Sequence, residues 1–296
     1  MSVNKDRFAH SNQPIMPLWL SVLLYLVAVL LVLAAIGSLM LPFQLISHVF
    51  VYEIIFRELV SWLLSSIAVT ALAFLFLKDV EKASMKELGL SIRGRARDCI
   101  FGLVWAVVLY LIGFSLSLLL GIVRVTEVHF DFIALALTFI VFFFASVTEE
   151  VVVRGYIQGR LMTKMNKFSA LVIASAIFAV MHISNPHIGV LPLVNLFLAG
   201  IMLGASYMYT RNLWFPIMLH LAWNWIQGPV LGYEVSGTKL FPSVLTLSLP
   251  ENTILNGGAF GFEGSIICSV LMIISAAIII VWGEKKSKNN INKYEV

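Results

Sequence analysis

Six residues that could take part in chemistry lie in three short runs within otherwise apolar sequence. Carboxylates and imidazoles can activate water, and imidazole and amide N–H groups can stabilise an oxyanion. Such groups are costly inside a bilayer, about 2.5–3.5 kcal/mol for a charged side chain at the centre of a helix, so they usually mark function. The runs are Glu149-Glu150-Val151-Val152-Val153-Arg154, Phe178-Ala179-Val180-Met181-His182 and His220-Leu221-Ala222-Trp223-Asn224.

The spacing within these runs is helical. Glu150 and Arg154 stand four residues apart, which favours an ion pair on one helix face. His220 and Asn224 have the same spacing, so their polar groups share a face. Glu149 has no evident partner on its own helix. It is therefore the carboxylate that remains available to act as a base.

The elements that must position these residues are membrane spans. The chain of 296 residues is 60% hydrophobic and 12% charged, against about 25% charged in soluble domains. A span needs about 20 apolar residues. The sequence predicts an all-α fold, a polytopic membrane helix bundle of about eight transmembrane helices. The predicted spans are 17–41, 54–77, 99–123, 133–160, 168–186, 188–209, 213–232 and 264–282.

Basic residues alternate along the predicted loops. The linker 78–98 contains six of them, whereas 42–53 contains none and 233–263 contains only Lys239. Because positive charge stays on the cytoplasmic side, both termini are expected in the cytoplasm. The net charge of +4 then reflects orientation, and no nucleic-acid partner is expected.

Distances along the helices suggest that the polar residues share one depth. At about 1.5 Å per residue, Glu149 lies about 16 Å from Arg160 at the inner edge. By the same rise, His182 lies about 22 Å from Lys167. His220 and Asn224 lie about 14 and 20 Å beyond the next inner loop. The middle of a hydrocarbon layer of about 30 Å is near 15 Å, so three helices are expected to converge there.

We predict a single membrane domain, 1–296, with a catalytic core at 130–230. The cytoplasmic linker 78–98 is expected to form a short amphipathic helix on the lipid headgroups. The outer loop 233–263 is expected to serve as a connection, with a cover over the outer face as the alternative. Residues 284–296 are expected to form a cytoplasmic tail.

Two further patterns concern packing and redox state. Gly200 and Gly204 have the spacing that allows close helix contact. Cys99 and Cys268 are expected near opposite membrane faces, so no disulfide is predicted.

The three runs resemble the motifs of the CPBP or ABI family, the CAAX-processing and bacteriocin-immunity membrane peptidases. Those motifs are EExxxR, FxxxH and HxxxN, in this order on separate helices, and all their positions are filled here. The resemblance covers about 130–230. Glu87-Leu88-Gly89-Leu90 also looks like the ELGL that often precedes the third span in relatives.

The resemblance implies an intramembrane glutamic endopeptidase without a serine or cysteine nucleophile. Glu149 would activate the attacking water, and His182 would orient that water or shuttle its proton. His220 and Asn224 would donate hydrogen bonds to the oxyanion. The implied supporting residues are Glu150 and Arg154, which hold the helix and tune Glu149, and Phe178, which packs the wall of the site.

Purely structural roles for the same residues are alternative interpretations. Glu150 and Arg154 could form a structural ion pair, and His182 could bond a backbone carbonyl in the core. His220 and Asn224 could join helices, since such bonds stabilise membrane bundles by about 0.6 kcal/mol.

The expected partners are the lipid bilayer, a membrane-associated peptide or protein substrate, and in one alternative another membrane protein. No cofactor is expected; zinc is an alternative, although no HExxH helix is present. The alternative function is a non-catalytic scaffold or bacteriocin-immunity protein, and a third is an ion-coupled transporter. Internal repeats, which many transporters have, are absent from the sequence. The composition favours the plasma membrane of a bacterium, as a multi-pass protein.

Overall fold

The computed structural model describes residues 14–46, 51–250 and 253–292. Eight helices account for most of this part of the chain, and the predicted all-α polytopic bundle is confirmed. The basic residues Lys5, Arg7 and Lys293, which flank the first and last predicted spans on the predicted cytoplasmic side, lie outside the described residues. The helices are α1 (Leu18–Ile46), α2 (Val51–Leu75), α3 (Ala96–Leu119), α4 (Phe132–Glu150), α5 (Lys167–Met181), α6 (Val190–Thr210), α7 (Trp214–Trp225) and α8 (Ile266–Asn292).

Three of these helices widen into π-helical turns at their ends. The turn Phe76–Val80 follows α2, Val151–Gln158 follows α4, and Ile226–Val230 follows α7. Within the described residues, six spans are long and apolar enough to cross a membrane by length and composition, and they correspond to α1 to α4, α6 and α8. The fifth and seventh predicted spans correspond to the shorter helices α5 and α7.

Helix α6 lies at the centre of the bundle. Buried residues make up 56% of its most apolar window, against 22% in α1 and α2, and it packs against α5, α7 and α8. A Cβ added at Gly200 would lie 2.7 Å from the Cβ of Ser175, and one at Gly204 would lie 2.6 Å from Oε1 of Gln158. The predicted close packing at these glycines is confirmed, because a larger side chain at either position would force its neighbours apart.

Helix α4, which contains Glu149 and Glu150, is capped at its N-terminus by Asp131. The Asp131 carboxylate accepts hydrogen bonds from the backbone N–H of Ala134 at 3.0 Å and from the Tyr52 hydroxyl at 2.8 Å. The Ala134 bond is the main cause of the lowered pKa of Asp131, and the Tyr52 bond lowers it further. A charged cap of this kind satisfies a free N–H group at the helix terminus.

The outer side of the molecule contains a small β-ribbon that the sequence did not predict. Strand β1 (Arg124–Val128) pairs antiparallel with β2 (Leu245–Ser248). The third predicted span was therefore too long, since α3 ends at Leu119 and the chain turns into β1.

The linker 78–98 does not form the expected amphipathic helix. A 3-10 turn, Met85–Leu88, is capped by Ser84, and Leu88 is fully buried in the bundle. The Gly89 carbonyl accepts a hydrogen bond from the N–H of Leu213, 2.9 Å away, just before α7. Leu88 faces protein, whereas Met85 and Ile92 remain exposed. The Leu88 and Gly89 contacts dock this part of the linker against the bundle. At the other end of the chain, α8 extends through much of the predicted tail to Asn292.

Candidate active site

The first two site residues lie at a change of helix geometry. Glu149 and Glu150 are the last two residues of α4, and the π-helical turn Val151–Gln158 begins directly after them. Such turns are frequent at functional sites. Sequence periodicity, which assumes a uniform helix, could not have predicted this widening.

Glu150 joins two helices. Its Oε1 lies 2.8 Å from Nη1 of Arg154 and 2.8 Å from Nδ1 of His220 on α7. All three residues are buried. As the carboxylate of the ion pair with Arg154, Glu150 can only accept, so Nδ1 of His220 is the donor in the second bond. Glu150 therefore orients His220 as well as pairing with Arg154, a contact between helices that helical spacing alone could not predict.

Glu149 faces two imidazoles. Its Oε2 lies 3.7 Å from Nε2 of His182 and 3.8 Å from Nε2 of His220. This oxygen is buried and has no hydrogen-bond partner among the described residues. Distances of this size are too long for direct hydrogen bonds and suit a bridging water molecule.

The orientation of His182 follows from its own helix. Its Nδ1 lies 2.8 Å from the carbonyl oxygen of Phe178. Because a carbonyl only accepts, Nδ1 carries the hydrogen, and in the neutral ring Nε2 presents its lone pair toward Glu149. The structural and the catalytic interpretations of His182 are therefore compatible, because Nδ1 bonds the backbone carbonyl while Nε2 faces Glu149.

Phe178 packs against the charged part of the site. The guanidinium of Arg154 lies 4.4 Å from the centre of the Phe178 ring, and the ring of His182 lies 4.7 Å from it. A second contact of Arg154 runs from Nη2 to the carbonyl oxygen of Gly200, 3.3 Å away. The aromatic ring and the carbonyl together fix the guanidinium that neutralises Glu150.

A cavity of about 260 Å³ opens beside these groups. Glu149, His182, His220 and Asn224 all line it. Within the described part of the chain, the Asn224 side chain makes no hydrogen bond, which leaves its amide free to contact a ligand. One wall is apolar and follows α4 outward from Glu149. It contains Trp62, Val141, Phe142, Ala145, Leu240 and Phe241.

The outer loop contributes directly to the site, so the expectation that it merely connects two spans was wrong. Residues 235–241 line the cavity almost continuously, as does Glu263 near the end of the loop. Sequence reasoning missed Glu263, Ser236 and Asn185 as site residues. Glu263 could have been noticed, because it is an isolated acid between Phe262 and Gly264 just before an apolar span.

Two further expectations concern sulfur and metals. Cys99 and Cys268 are both free, as predicted. Among the residues that the structure describes, no group of three or more His, Cys, Asp or Glu side chains is arranged as a metal site.

Comparison with known proteins supports the resemblance drawn from the motifs. A family model described as Rce1-like, type II CAAX prenyl endopeptidase, matches residues 131–226. All seven motif residues lie within this range. Comparison with curated proteins and with solved structures gave no match. The chain is a multi-pass membrane protein, and its segment 131–226 is similar to the Rce1-like family of CAAX-type endopeptidases.

Proposed function

We propose that this protein is an intramembrane endopeptidase in which Glu149 activates water for attack on a peptide bond. One observation carries the proposal: Oε2 of Glu149 lies 3.7 and 3.8 Å from the Nε2 atoms of two histidines on two other helices. These atoms border a cavity. A water molecule between them would contact a base and two orienting nitrogens at once.

The division of charge between the two glutamates supports this assignment. Glu150 is engaged by Arg154 and His220, both at 2.8 Å. Glu149 makes no such bond through Oε2. It therefore keeps a lone pair for the proton of a water molecule, which is the requirement for a general base.

In the proposed reaction, Glu149 takes one proton from water while the water oxygen bonds to the scissile carbonyl carbon. The second water hydrogen points to Nε2 of His182. The π electrons of the carbonyl move onto its oxygen and form an oxyanion. When the C–N bond breaks, the proton held by Glu149 passes to the leaving amine, so Glu149 is regenerated.

Asn224 and His220 are the proposed oxyanion donors, each typically worth 10²–10³-fold in kcat. Asn224 donates through its side-chain amide. His220 already donates from Nδ1 to Glu150, so it can donate from Nε2 only as an imidazolium. Glu149 and Glu150 together with Arg154 carry a net charge of −1, which a protonated His220 would balance. We infer that the active form contains cationic His220.

The proposed substrate is a membrane-associated peptide or protein. The apolar wall along α4, with Val141, Phe142 and Ala145, suits an apolar substrate segment beside the reacting carbonyl. The name of the matching family supplies one concrete candidate, a prenylated CAAX peptide.

The test uses the full chain purified in lipid nanodiscs and two internally quenched peptides. One peptide carries a farnesylated CAAX end, and the other has the same sequence without the lipid. Glu149→Gln is compared with wild type, and Glu127→Gln in the exposed strand β1 serves as the matched control. We expect wild type and Glu127→Gln to cleave at least one peptide and Glu149→Gln to cleave neither.

The same variants expressed in cells identify natural substrates. Peptides recovered from membranes by mass spectrometry are expected to differ between wild type and Glu149→Gln and to agree between wild type and Glu127→Gln. Identical peptides in all three, together with no cleavage in nanodiscs, would contradict a peptidase and favour a scaffold.

A further inference from the structure

A tight turn of the outer loop is held in a strained conformation. Val235 and Thr238 exchange two backbone hydrogen bonds of 2.9 and 3.0 Å. Between them, Ser236 and Gly237 have φ angles of 49° and 82°. A left-handed conformation is uncommon for a non-glycine residue such as Ser236. Strain of this kind persists only where surrounding contacts impose it, and it often accompanies function.

Ser236 is held on two sides. Its backbone N–H and its hydroxyl both donate to Oε2 of Glu263, over 3.0 and 2.9 Å. Its carbonyl oxygen accepts from Nδ2 of Asn185 over 3.1 Å. A Cβ added at Gly237 would lie 2.0 Å from the carbonyl oxygen of Pro186. The turn therefore lies directly against the chain that leaves α5.

Glu263 connects this turn to α7. Its Oε1 accepts a hydrogen bond from Nε1 of Trp223 over 3.0 Å. Only 5% of Glu263 is exposed, and among the described residues it forms no ion pair. A buried carboxylate bonded only by neutral donors is costly, so an apolar residue here would be easier to accommodate. The mechanism above gives this carboxylate no role.

The residues that make these contacts are close in sequence to the site residues. Asn185 follows His182 by three residues, and Trp223 follows His220 by three and precedes Asn224 by one. We call Asn185, Trp223, Ser236 and Glu263 the outer junction. It links the segment after α5 to the cavity face of α7, and so links the two histidines that flank Glu149.

We propose that Glu263 is a positioning residue that, through the outer junction, sets the spacing of His182 and His220 about Glu149. This inference rests on the proposed function. The two imidazole distances of 3.7 and 3.8 Å depend on how α5 and α7 lie relative to each other. A displacement of 1 Å in such a site can cost about 10²-fold in rate.

The first experiment measures kcat and KM with whichever quenched peptide the wild-type chain cleaves. Glu263→Gln replaces one accepting oxygen by an NH₂ group, so a bond to Ser236 or Trp223 is lost. We expect kcat to fall about 10- to 100-fold, with KM within about threefold of wild type because the substrate contacts remain. Glu263→Asp, which keeps the charge, should recover part of kcat.

The matched control is Glu234→Gln, the same change in the same loop outside the junction. It should leave both constants unaltered. A Glu263→Gln protein with wild-type kcat, or one that loses activity only by raising KM, would overturn the positioning role.

A second experiment does not depend on catalysis. Hydrogen exchange followed by mass spectrometry is measured on full-length wild type, Glu263→Gln and Glu234→Gln in nanodiscs. We expect Glu263→Gln to raise exchange in 233–240 and also in 182–187 and 220–226, because local opening reports lost contacts. An increase confined to 233–240 would overturn the junction.

The two experiments also separate this inference from the proposed function. If Glu149→Gln retains full activity, the peptidase mechanism fails, and coupled exchange at 182–187 and 220–226 would still support the junction. If Glu149→Gln is inactive while Glu263→Gln matches wild type in both measurements, the mechanism stands and the positioning role falls.

Discussion

Two clusters of charged side chains in this protein contain the same residue types, two glutamates and one arginine. The inner cluster consists of Arg160 with Glu81 and Glu87 from the linker. Arg160 lies 2.6 Å from Oε2 of Glu87 and 3.6 Å from Oε2 of Glu81. The other cluster consists of Arg154, Glu150 and Glu149. Both arginines lie on the same continuous helical segment, Phe132–Leu161.

The clusters differ in how their carboxylate oxygens are used. Oε1 of Glu81 accepts from Ser21 over 2.5 Å, and Oε1 of Glu87 accepts from the N–H of Ser84 over 3.2 Å. Each of the four inner oxygens thus has a donor or an ion-pair partner. In the other cluster, Oε2 of Glu149 lacks a hydrogen bond and borders a cavity. The two clusters therefore share their composition and differ in geometry, because only in the second does a carboxylate oxygen without a hydrogen bond face two imidazoles beside a cavity.

The largest expected effect on activity comes from comparing two substitutions, one beside each cluster. His182→Ala should lower kcat by about 10²–10⁴-fold, the usual contribution of an acid–base group. Its loss should change stability little, since its one hydrogen bond is to its own helix.

Tyr156→Phe is the matching substitution beside the inner cluster. It removes a hydroxyl that bonds Ser21 over 2.7 Å and should lower the free energy of unfolding by about 1 kcal/mol without changing kcat. Both variants are measured for peptide cleavage and for unfolding in mixed detergent. Equal loss of kcat in the two would erase the distinction between the clusters.

Arginine removal compares the clusters by stability. Arg154→Gln removes the guanidinium partner of buried Glu150 and leaves His220 as its remaining partner. Breaking a buried ion pair in this way should destabilise the protein by about 3–5 kcal/mol. Arg160→Gln should cost less, because the Glu87 side chain is 47% exposed and water can replace the lost partner. The measurement is the free energy of unfolding in mixed detergent. A greater loss of unfolding free energy in Arg160→Gln than in Arg154→Gln would contradict the assignment of Arg154 and Glu150 as the better-buried pair.

Glu150→Gln tests the orientation of His220. The amide oxygen still accepts from Nδ1, but the charge that supports cationic His220 is lost. We expect kcat to fall by about 10²-fold, by analogy with carboxylates that orient catalytic histidines. Glu87→Gln is the inner control and should leave kcat unchanged. Wild-type kcat in Glu150→Gln would limit Glu150 to a structural role.

Much of the fold and the site could be predicted because the relevant signals are local. Apolar runs locate the spans, and i, i+4 spacing places Glu150 with Arg154 and His220 with Asn224. The bond between Glu150 and His220 could not be predicted, because it depends on the rotation of α4 and α7 about their axes. The π-helical turn after Glu150 contributes to that rotation.

The outer side was predicted least well for a different reason. The β-ribbon pairs residues more than 100 positions apart, and no local pattern specifies such a pairing. The linker was assigned to the headgroups because its charges are local, yet its buried Leu88 docks in the bundle. Glu263 becomes part of the site only through the folding of the outer loop onto Trp223 and Ser236.

The smallest expected effect concerns metals. Treating the purified chain with EDTA or 1,10-phenanthroline should leave kcat unchanged if water is activated by Glu149 alone. Loss of activity that added Zn²⁺ restores would instead favour the zinc alternative, with Glu149, His182 and His220 as the candidate ligands.

The most direct test compares Glu149→Gln with Glu81→Gln, the same substitution in each cluster. Turnover of the quenched peptide and the midpoint of detergent unfolding are measured on the two purified proteins. A catalytic Glu149 predicts that Glu149→Gln has no detectable turnover at an unchanged midpoint, while Glu81→Gln unfolds earlier but turns over substrate when folded. Full turnover by purified Glu149→Gln would contradict it.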